Sequence, residues 1–168
     1  DDPAWNMALP FAGFLQREPI EGAPATLPAD VRVLYDDAAI YIGARLFDTA
    51  PDSIIAQLAR RDNDVVSDLF AVFIDSYHDR RTGFYFGVNA AGTVYDGTLY
   101  NDDWDDETWD GIWEAAVHHD SLGWSAEMRI PYSQLRFHDQ PEHLWGINFR
   151  RDIARRNEEA YLAYQYEK

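Results

Sequence analysis

Apolar and polar residues alternate in short runs along most of this chain. Side chains that alternate in this way between turn residues are typical of β-strands with one buried face. The pattern predicts nine strands, at residues 31–35, 40–47, 69–75, 84–89, 93–100, 112–118, 123–130, 145–153 and 160–166. Helical periodicity is confined to two short stretches, at 51–60 and 131–135.

The connections between these runs favour antiparallel pairing. Asp36-Asp37, residues 90–92 and residues 120–123 each join two neighbouring predicted strands, and such short polar connections suit β-hairpins. Parallel strands would need long crossover helices, which the pattern does not supply. We therefore expect an all-β fold, an antiparallel β-sandwich of about nine strands with one or two short helical turns.

A single domain spanning 1–168 is expected for a chain of 168 residues. Residues 1–30 hold five of the eight prolines and show little alternation, which predicts an extended entry segment pinned by Trp5, Phe11 and Phe14. No run approaches the roughly 18 apolar residues of a membrane helix, so the domain itself is expected to be soluble.

Charge and cysteine content exclude several classes of protein. The chain carries 30 acidic and 14 basic residues, a formal charge of −16, which argues against binding to the phosphate backbone of nucleic acid. It has no cysteine, which excludes disulfide frameworks, thiolate nucleophiles and zinc–thiolate sites. An aromatic content of 15% is too high for a disordered acidic tail.

The stretch Asp96–Asp110 is the strongest anomaly, with seven acidic residues, two tryptophans and no base. Closely spaced carboxylates favour calcium, and Asp102 and Asp105 are candidate ligands here. Exposed tryptophans beside carboxylates are also typical of sugar sites, which makes Trp104 and Trp109 candidate stacking platforms. The alternative is a solvated acidic loop whose tryptophans fold back onto the core.

A second group of acids lies at the end of the strand predicted at 69–75. Asp75 and Asp79 are candidate calcium ligands, with loop carbonyls completing the shell. Arg80 and Arg81 follow directly, and all but one of the 14 basic residues are arginine. Bidentate pairing of carboxylates with arginine is therefore the competing interpretation.

Several polar residues fall on or beside predicted strands, where burial without a partner would be costly. They form either a concave binding face or a buried hydrogen-bonded network that holds the strands in register. As a binding face they would supply hydrogen bonds to a ligand. These candidate ligand-binding residues are Arg61, Asn89, Asp96, Asn148 and Arg150.

Catalytic motifs are missing from the sequence. It contains no G-x-S-x-G, H-E-x-x-H, P-loop or G-x-G-x-x-G pattern. A pair of carboxylates would serve glycoside hydrolysis, but thirty acidic residues make any chosen pair uninformative. We expect a domain that is not an enzyme.

The ordered motifs VRVLYDD, F-x-I-D and GW-x-A-E-x-x-IP, with WGINFRRDIARRNE, resemble the family 9 carbohydrate-binding module-like domain over nearly the whole chain. The resemblance implies an immunoglobulin-like β-sandwich, calcium in many members and binding of plant polysaccharides. Where characterised modules have a sugar-contacting Trp, Glu and Arg, this chain has Val65, Ala71 and Gly87. Asp68, Asp75 and Asn89 match the family pattern.

The most similar domains lie at the amino terminus of bacterial proteins whose remainder resembles an outer-membrane β-barrel. We expect a non-catalytic carbohydrate-binding module, the accessory domain of a larger secreted or envelope protein, with polysaccharide or oligosaccharide as partner. The alternative is a periplasmic or surface interaction domain on such a barrel that has lost sugar binding. Either implies a periplasmic, outer-membrane-associated or secreted location in bacteria.

Overall fold

The computed structural model of the chain describes residues 3–100 and 104–163, with the backbone alone at 104 and 105. This part of the chain forms eleven strands in two antiparallel sheets. In chain order they are β1 (Leu15–Glu18), β2 (Ala29–Tyr35), β3 (Ala39–Phe47), β4 (Leu69–Asp75), β5 (Thr82–Asn89), β6 (Val94–Tyr100), β7 (Trp104–Asp106), β8 (Glu114–Asp120), β9 (Gly123–Pro131), β10 (Gly146–Ile153) and β11 (Glu158–Tyr161).

The two sheets stack face to face. One has seven strands in the order β1-β11-β10-β4-β5-β6-β7, and the other has four in the order β2-β3-β9-β8. Single 3-10 turns lie at Pro3–Met7, Pro51–Ser53, Tyr132–Gln134 and Ala154–Arg156. The predicted all-β antiparallel sandwich is confirmed, and eight of the nine predicted strands are present with ends that agree within two residues. The ninth, predicted at 160–166, overlaps β11 only at residues 160 and 161, and its residues 164–166 lie outside the described part of the chain. Among the described residues, β1 and β7 are additional.

The predicted helical stretch at 51–60 is wrong beyond its first turn. Helical structure there stops at Ser53, and the chain continues as irregular backbone to Asp68. The reason is that its polar backbone groups bond to the neighbouring sheet: Gln57 O accepts from Asn89 Nδ2 at 2.8 Å, and Ala59 N donates to Thr93 Oγ1 at 2.9 Å. Such bonds replace the ones a helix would make within itself.

Alternation along the strands fills the space between the sheets. On β4, Phe70, Val72 and Ile74 are buried and face the core, where they meet Trp124 and Ile42 of the smaller sheet. The residues between them on β4 point away from the core, to the outer face of the larger sheet. The outer face of the larger sheet is therefore formed by the residues that alternate with the buried ones along each strand.

Arg151 of β10 is a buried cation between the sheets. Its guanidinium donates to Pro28 O and Phe47 O at 2.7 Å each, which joins the large sheet to backbone beside the small one. Burial lowers the pKa of Arg151 to about 10, against the attraction of Asp68 and nearby carboxylates. Among the helices in the described residues, none is long and apolar enough to cross a membrane.

Candidate functional site

A groove of about 870 Å³ lies on the outer face of the seven-stranded sheet. Its floor follows from the register of four neighbouring strands: Arg150 on β10 pairs with Ala71 on β4, then Gly87 on β5, then Tyr95 on β6. The two central residues have almost no side chain, whereas both ends carry large ones. The groove is therefore a depression between Arg150 and Tyr95.

Aromatic rings form one side of this outer groove. Phe73 and Tyr85 occupy the next register row, with ring centroids 6.4 Å apart. Tyr85 lies over Gly97. A Cβ atom at position 97 would come 2.5 Å from the Tyr85 ring, so the ring can lie there only because residue 97 is glycine. The rings thus line the groove with apolar surface of the kind that packs on pyranose C–H groups.

The other end of the groove is charged. Arg150 donates through Nε and Nη2 to Asp152, both at 2.7 Å, and Nη2 lies 2.9 Å from Glu159. Burial works to lower the pKa of Arg150, but pairing with Asp152 outweighs it and raises the pKa. Burial raises the pKa of Asp152. The fork holds a permanent cation in a fixed orientation at the groove.

Asn89 lines the groove together with the irregular stretch 64–67, which forms its wall. Its amide donates to Gln57 O at 2.8 Å, while its oxygen accepts from Ala91 N and Thr93 N at 3.0 and 2.9 Å. The residue is 1% exposed. Asn89 therefore lines the groove but spends its hydrogen bonds on the protein, which favours the network interpretation for this residue.

Asp96 faces the core from β6 and belongs to a cluster of three carboxylates around one arginine. Arg61 pairs with Asp96 and donates to Gly111 O at 2.8 Å, and its Nε lies 3.4 Å from Asp62 and 3.3 Å from Asp110. Asp96 also accepts from Trp113 Nε1 at 2.7 Å. Burial raises the pKa of Asp62, against a hydrogen bond from the Asp96 backbone.

Among the described residues, this cluster is also the group that could offer three ligands to a metal ion. One carboxylate oxygen from each of Asp62, Asp96 and Asp110 lies within 4.8 Å of the others. The Arg61 guanidinium already supplies the positive charge there. The donor set as folded therefore fits arginine rather than calcium.

The predicted calcium ligands Asp75 and Asp79 cap a turn. The oxygens of Asp75 accept from Asp79 N at 3.2 Å and Arg80 N at 2.8 Å, and Asp79 accepts from Arg81 N and from Thr82. The hydrogen bonds from Thr82 and Arg81 lower the pKa of Asp79. These carboxylates do not converge with a third one in the described residues, so the arrangement is that of a turn.

The predicted calcium ligands Asp102 and Asp105 cannot be compared in the same way. Asp102 lies outside the described residues, and at Asp105 only the backbone of β7 is described. Calcium binding by this domain stays a prediction.

Trp109, one of the two candidate tryptophans of the acidic stretch, does not line the groove. Trp109 packs on Phe84 and Phe86, with centroid distances of 5.3 and 5.9 Å, and so lies against the core side of β5. This geometry favours the folded-back alternative for Trp109, because an apolar shelf of two phenylalanines takes its ring out of water. For Trp104 the side chain lies outside what the structure describes.

Asn148 lies away from the groove as well. It donates from Nδ2 to Ala163 O and accepts from Ala163 N, both at 2.8 Å, so it ties β10 to the chain after β11. Of the seven predicted ligand-binding residues, Asn89 and Arg150 line the groove, and Arg61 and Asp96 form the cluster beside its wall.

The groove also holds residues that sequence reasoning did not select as ligand-binding. Phe73, Tyr85 and Tyr95 alternate out of phase with the buried residues of their strands, which is the signal that would have identified them. Val65, Ala71 and Gly87, where the chain departs from the sugar contacts of characterised modules, line the same groove.

Solved structures with a similar fold include carbohydrate-binding modules. A family 9 carbohydrate-binding module from Caldicellulosiruptor kristjanssonii in complex with cellotriose is 18% identical, with TM-score 0.64, 96% of this chain covered and 74% of that chain. A family 9 carbohydrate-binding module from the same organism in complex with glucose gives 19% identity, TM-score 0.64 and coverages of 96% of this chain and 77% of that chain. A candidate carbohydrate-binding protein from Bacteroides uniformis ATCC 8492 gives 14% identity, TM-score 0.71 and coverages of 95% and 79%.

Among curated proteins, none matches this chain. The profile of the family described as Carbohydrate family 9 binding domain-like matches residues 2–158, almost the whole chain and both sheets of the sandwich. The chain therefore belongs to the carbohydrate family 9 binding domain-like family.

Proposed function

We propose that the outer groove of the seven-stranded sheet is a carbohydrate-binding site and that the domain is a non-catalytic binding module. One observation carries the proposal: the groove contains the three positions, Val65, Ala71 and Gly87, that contact sugar in the characterised modules the sequence resembles. The family relationship and the relatives bound to cellotriose and glucose support the same ligand class.

The groove must hold its ligand with a different set of side chains from those modules. Loss of the Glu and Arg side chains at 71 and 87 deepens the floor, while Phe73 and Tyr85 offer ring surface beside it. At the charged end, Arg150 bonds Asp152 and Glu159 through Nε and Nη2, so a ligand would use the N–H donors of Nη1, with the carboxylate oxygens as acceptors. Stacking on one side and hydrogen bonds on the other suit a pyranose.

Charge favours neutral sugars over acidic ones. The groove lining has three acidic residues, Asp64, Glu107 and Asp152, and two cationic ones, Arg17 and Arg150. The whole chain has a formal charge of −16. A uronic acid would bring a further carboxylate into this field. We therefore expect neutral gluco- or xylo-oligosaccharides to bind more tightly than their acidic counterparts.

Filling the floor tests this proposal. At Gly87 an added Cβ would meet Ala71, Leu69 and Tyr95 at 3.5 to 3.6 Å, which is ordinary contact, so Gly87→Val should fold and block the groove. We expect calorimetry with cellohexaose and xylohexaose to detect binding by the natural protein and none by Gly87→Val. His118→Val, on an exposed position of the other sheet, is the control that should bind as the natural protein does.

The alternative function is favoured by the same three replacements. If the missing Trp, Glu and Arg are not compensated, the domain is an interaction module attached to an outer-membrane barrel that has lost sugar binding. A folded natural protein that binds no glycan on an array would support that alternative and contradict the groove proposal. We further propose that the domain is an accessory part of a larger periplasmic, outer-membrane-associated or secreted protein.

A further inference from the structure

A second groove, of about 750 Å³, lies on the opposite side of the molecule, over the outer face of the four-stranded sheet. We call it the Trp5 groove, because the side chain of Trp5 lines it together with the β8 residues Glu114 and Ala116 and the β9 residues Glu127 and Arg129. No residue lines both this groove and the carbohydrate groove proposed above.

Trp5 lies flat on the sheet. Three consecutive carbons of its six-membered ring, Cε2, Cζ2 and Cη2, are each 3.0 Å from the place where a Cβ atom of Gly43 would stand. A point equally distant from three neighbouring ring atoms lies above the ring, so the indole stacks face-on over Gly43. A side chain at this position would push the ring away, and glycine is what allows the contact.

The tryptophan is held in this orientation from several sides. Arg32 donates from Nη1 to the carbonyl oxygens of Trp5 and Ala8, at 2.8 and 3.0 Å, which fastens the 3-10 turn to β2. The indole Nε1 donates to Glu127 Oε1 at 3.3 Å. A ring that is oriented before binding loses little conformational freedom when a ligand stacks on it.

Three charged side chains, Glu114, Glu127 and Arg129, line the groove with the ring. Glu114 on β8 lies opposite Arg129 on β9 in the sheet register, and Ala116 lies opposite Glu127. A hydrogen bond with Tyr41, together with the charges of Glu114 and Asp36, raises the pKa of Arg129. The small, exposed Ala116 leaves room between these groups.

We infer that the Trp5 groove is a second carbohydrate site, which takes one or two pyranose units of a neutral glycan. The fixed indole would pack on sugar C–H groups, while Glu114, Glu127 and Arg129 would hydrogen-bond the hydroxyls. Met7, Leu34 and Met128 add apolar lining to the groove. A protein partner nevertheless fits less well, because it would have to desolvate Glu114, Glu127 and Arg129, and the cores of protein interfaces are depleted in charged residues. Two sites on opposite faces would let one domain bind two chains, or one chain bind with avidity.

Two variants and one control test the site. Trp5→Ala removes the ring. Ala116→Ile fills the groove from an exposed strand position that accepts a β-branched residue, so it remains informative if Trp5→Ala fails to fold. His118→Ile makes a matched change two residues along the same strand, on the same outer face and outside the groove.

The measurement is a titration of isotope-labelled protein with cellohexaose, xylohexaose and laminarihexaose, followed by NMR. With at least one glycan we expect saturable shifts of the Trp5 indole N–H and of the Gly43 and Ala116 amides. Ala116→Ile should weaken that affinity by about tenfold or more, and His118→Ile should leave it unchanged. Signals of Gly87 report the first groove in the same spectra, so either site can fail without the other.

Two results would overturn the inference. One is the absence of saturable shifts around Trp5 with all three glycans in the folded natural protein. The other is sedimentation showing self-association that Ala116→Ile abolishes, which would make this face an interface between copies of the chain.

Discussion

Replacing Arg61 by alanine should destabilise the fold more than replacing any other exposed charged residue of the same turn. In the folded chain Arg61 faces three carboxylates, and the side chain of Asp96 is 0% exposed. Without the guanidinium, three negative charges with oxygens within 4.8 Å of one another lose their counter-charge. Asp62 belongs to a turn that hydrogen-bonds to β6, and Asp110 belongs to the loop between β7 and β8, so the repulsion acts on both segments.

The size of the effect follows from burial. Removing one partner of a fully buried ion pair costs about 3–5 kcal/mol. Arg61 is 37% exposed and Asp110 71%, so water reaches part of the cluster and reduces the loss to about 2–3 kcal/mol. For a chain of this size that corresponds to a fall in melting temperature of about 4–12 °C.

Thermal and urea unfolding of two matched variants would measure this effect. Arg60→Ala removes the same charge from the adjacent exposed position and should stay within about 0.5 kcal/mol of the natural protein. Arg61→Lys should lie between the two, because lysine restores the charge without the bidentate fork. If Arg61→Ala is no less stable than Arg60→Ala, the cluster does not depend on arginine and this reasoning fails.

Calcium gives the same prediction a second readout. Because Arg61 occupies the centre of the cluster, chelation should not alter the melting temperature of the natural protein through these three carboxylates. Arg61→Ala exposes them to the solvent cation, and millimolar calcium should recover part of the lost stability by binding the folded state. A melting temperature of Arg61→Ala that is the same in calcium and in chelator would contradict this step.

Two further predictions concern stability. Burial opposes ionisation of Asp48, but its bidentate pair with Arg155, at 2.6 and 2.7 Å, lowers the pKa of the carboxyl group. The stability that this pair gives the fold is therefore present above about pH 3.8 and is lost as the pH falls through the lowered pKa of the folded state. Asp48→Asn should therefore cost about 2–3 kcal/mol at neutral pH, with the difference shrinking in acid, and the exposed Asp37→Asn serves as the matched control. Asn89→Ala should cost about 1–3 kcal/mol in urea unfolding, because it leaves Gln57 O and two backbone donors without their partner; a loss of under 0.5 kcal/mol would show that water replaces the amide.

The sandwich was predictable because alternation of side chains decides which face of each strand enters the core. The strands β4, β5 and β9 were located almost to the residue for this reason. The stretch after Ser53 was not, since its backbone is satisfied by Asn89 and Thr93, residues more than 30 positions away in sequence. A local pattern cannot show hydrogen bonds of that range.

The candidate site was predictable in part. Arg150 follows from alternation on β10, but the choice of Trp109 as a stacking platform did not allow for Phe84 and Phe86, which turn its ring toward the core. Composition drew attention to the acidic stretch Asp96–Asp110, of which Leu99 and Glu107 line the groove, whereas the floor of the groove lies on the neighbouring strands β4 and β5. Charge density identified where acids accumulate, and it did not identify where surface is left open.

Open surface in this fold is made by side chains that are small. The inner faces of both sheets are filled in the described residues, so a sheet accommodates a ligand where its outer face is interrupted. Ala71 and Gly87 make one interruption, beside Phe73 and Tyr85, and the exposed Ala116 makes the other. A glycine inside a strand costs stability, so its presence calls for a physical cause. At Gly87 no neighbour would exclude a Cβ atom, which leaves the groove itself as the reason for the missing side chain and makes Gly87→Val the most direct test of function.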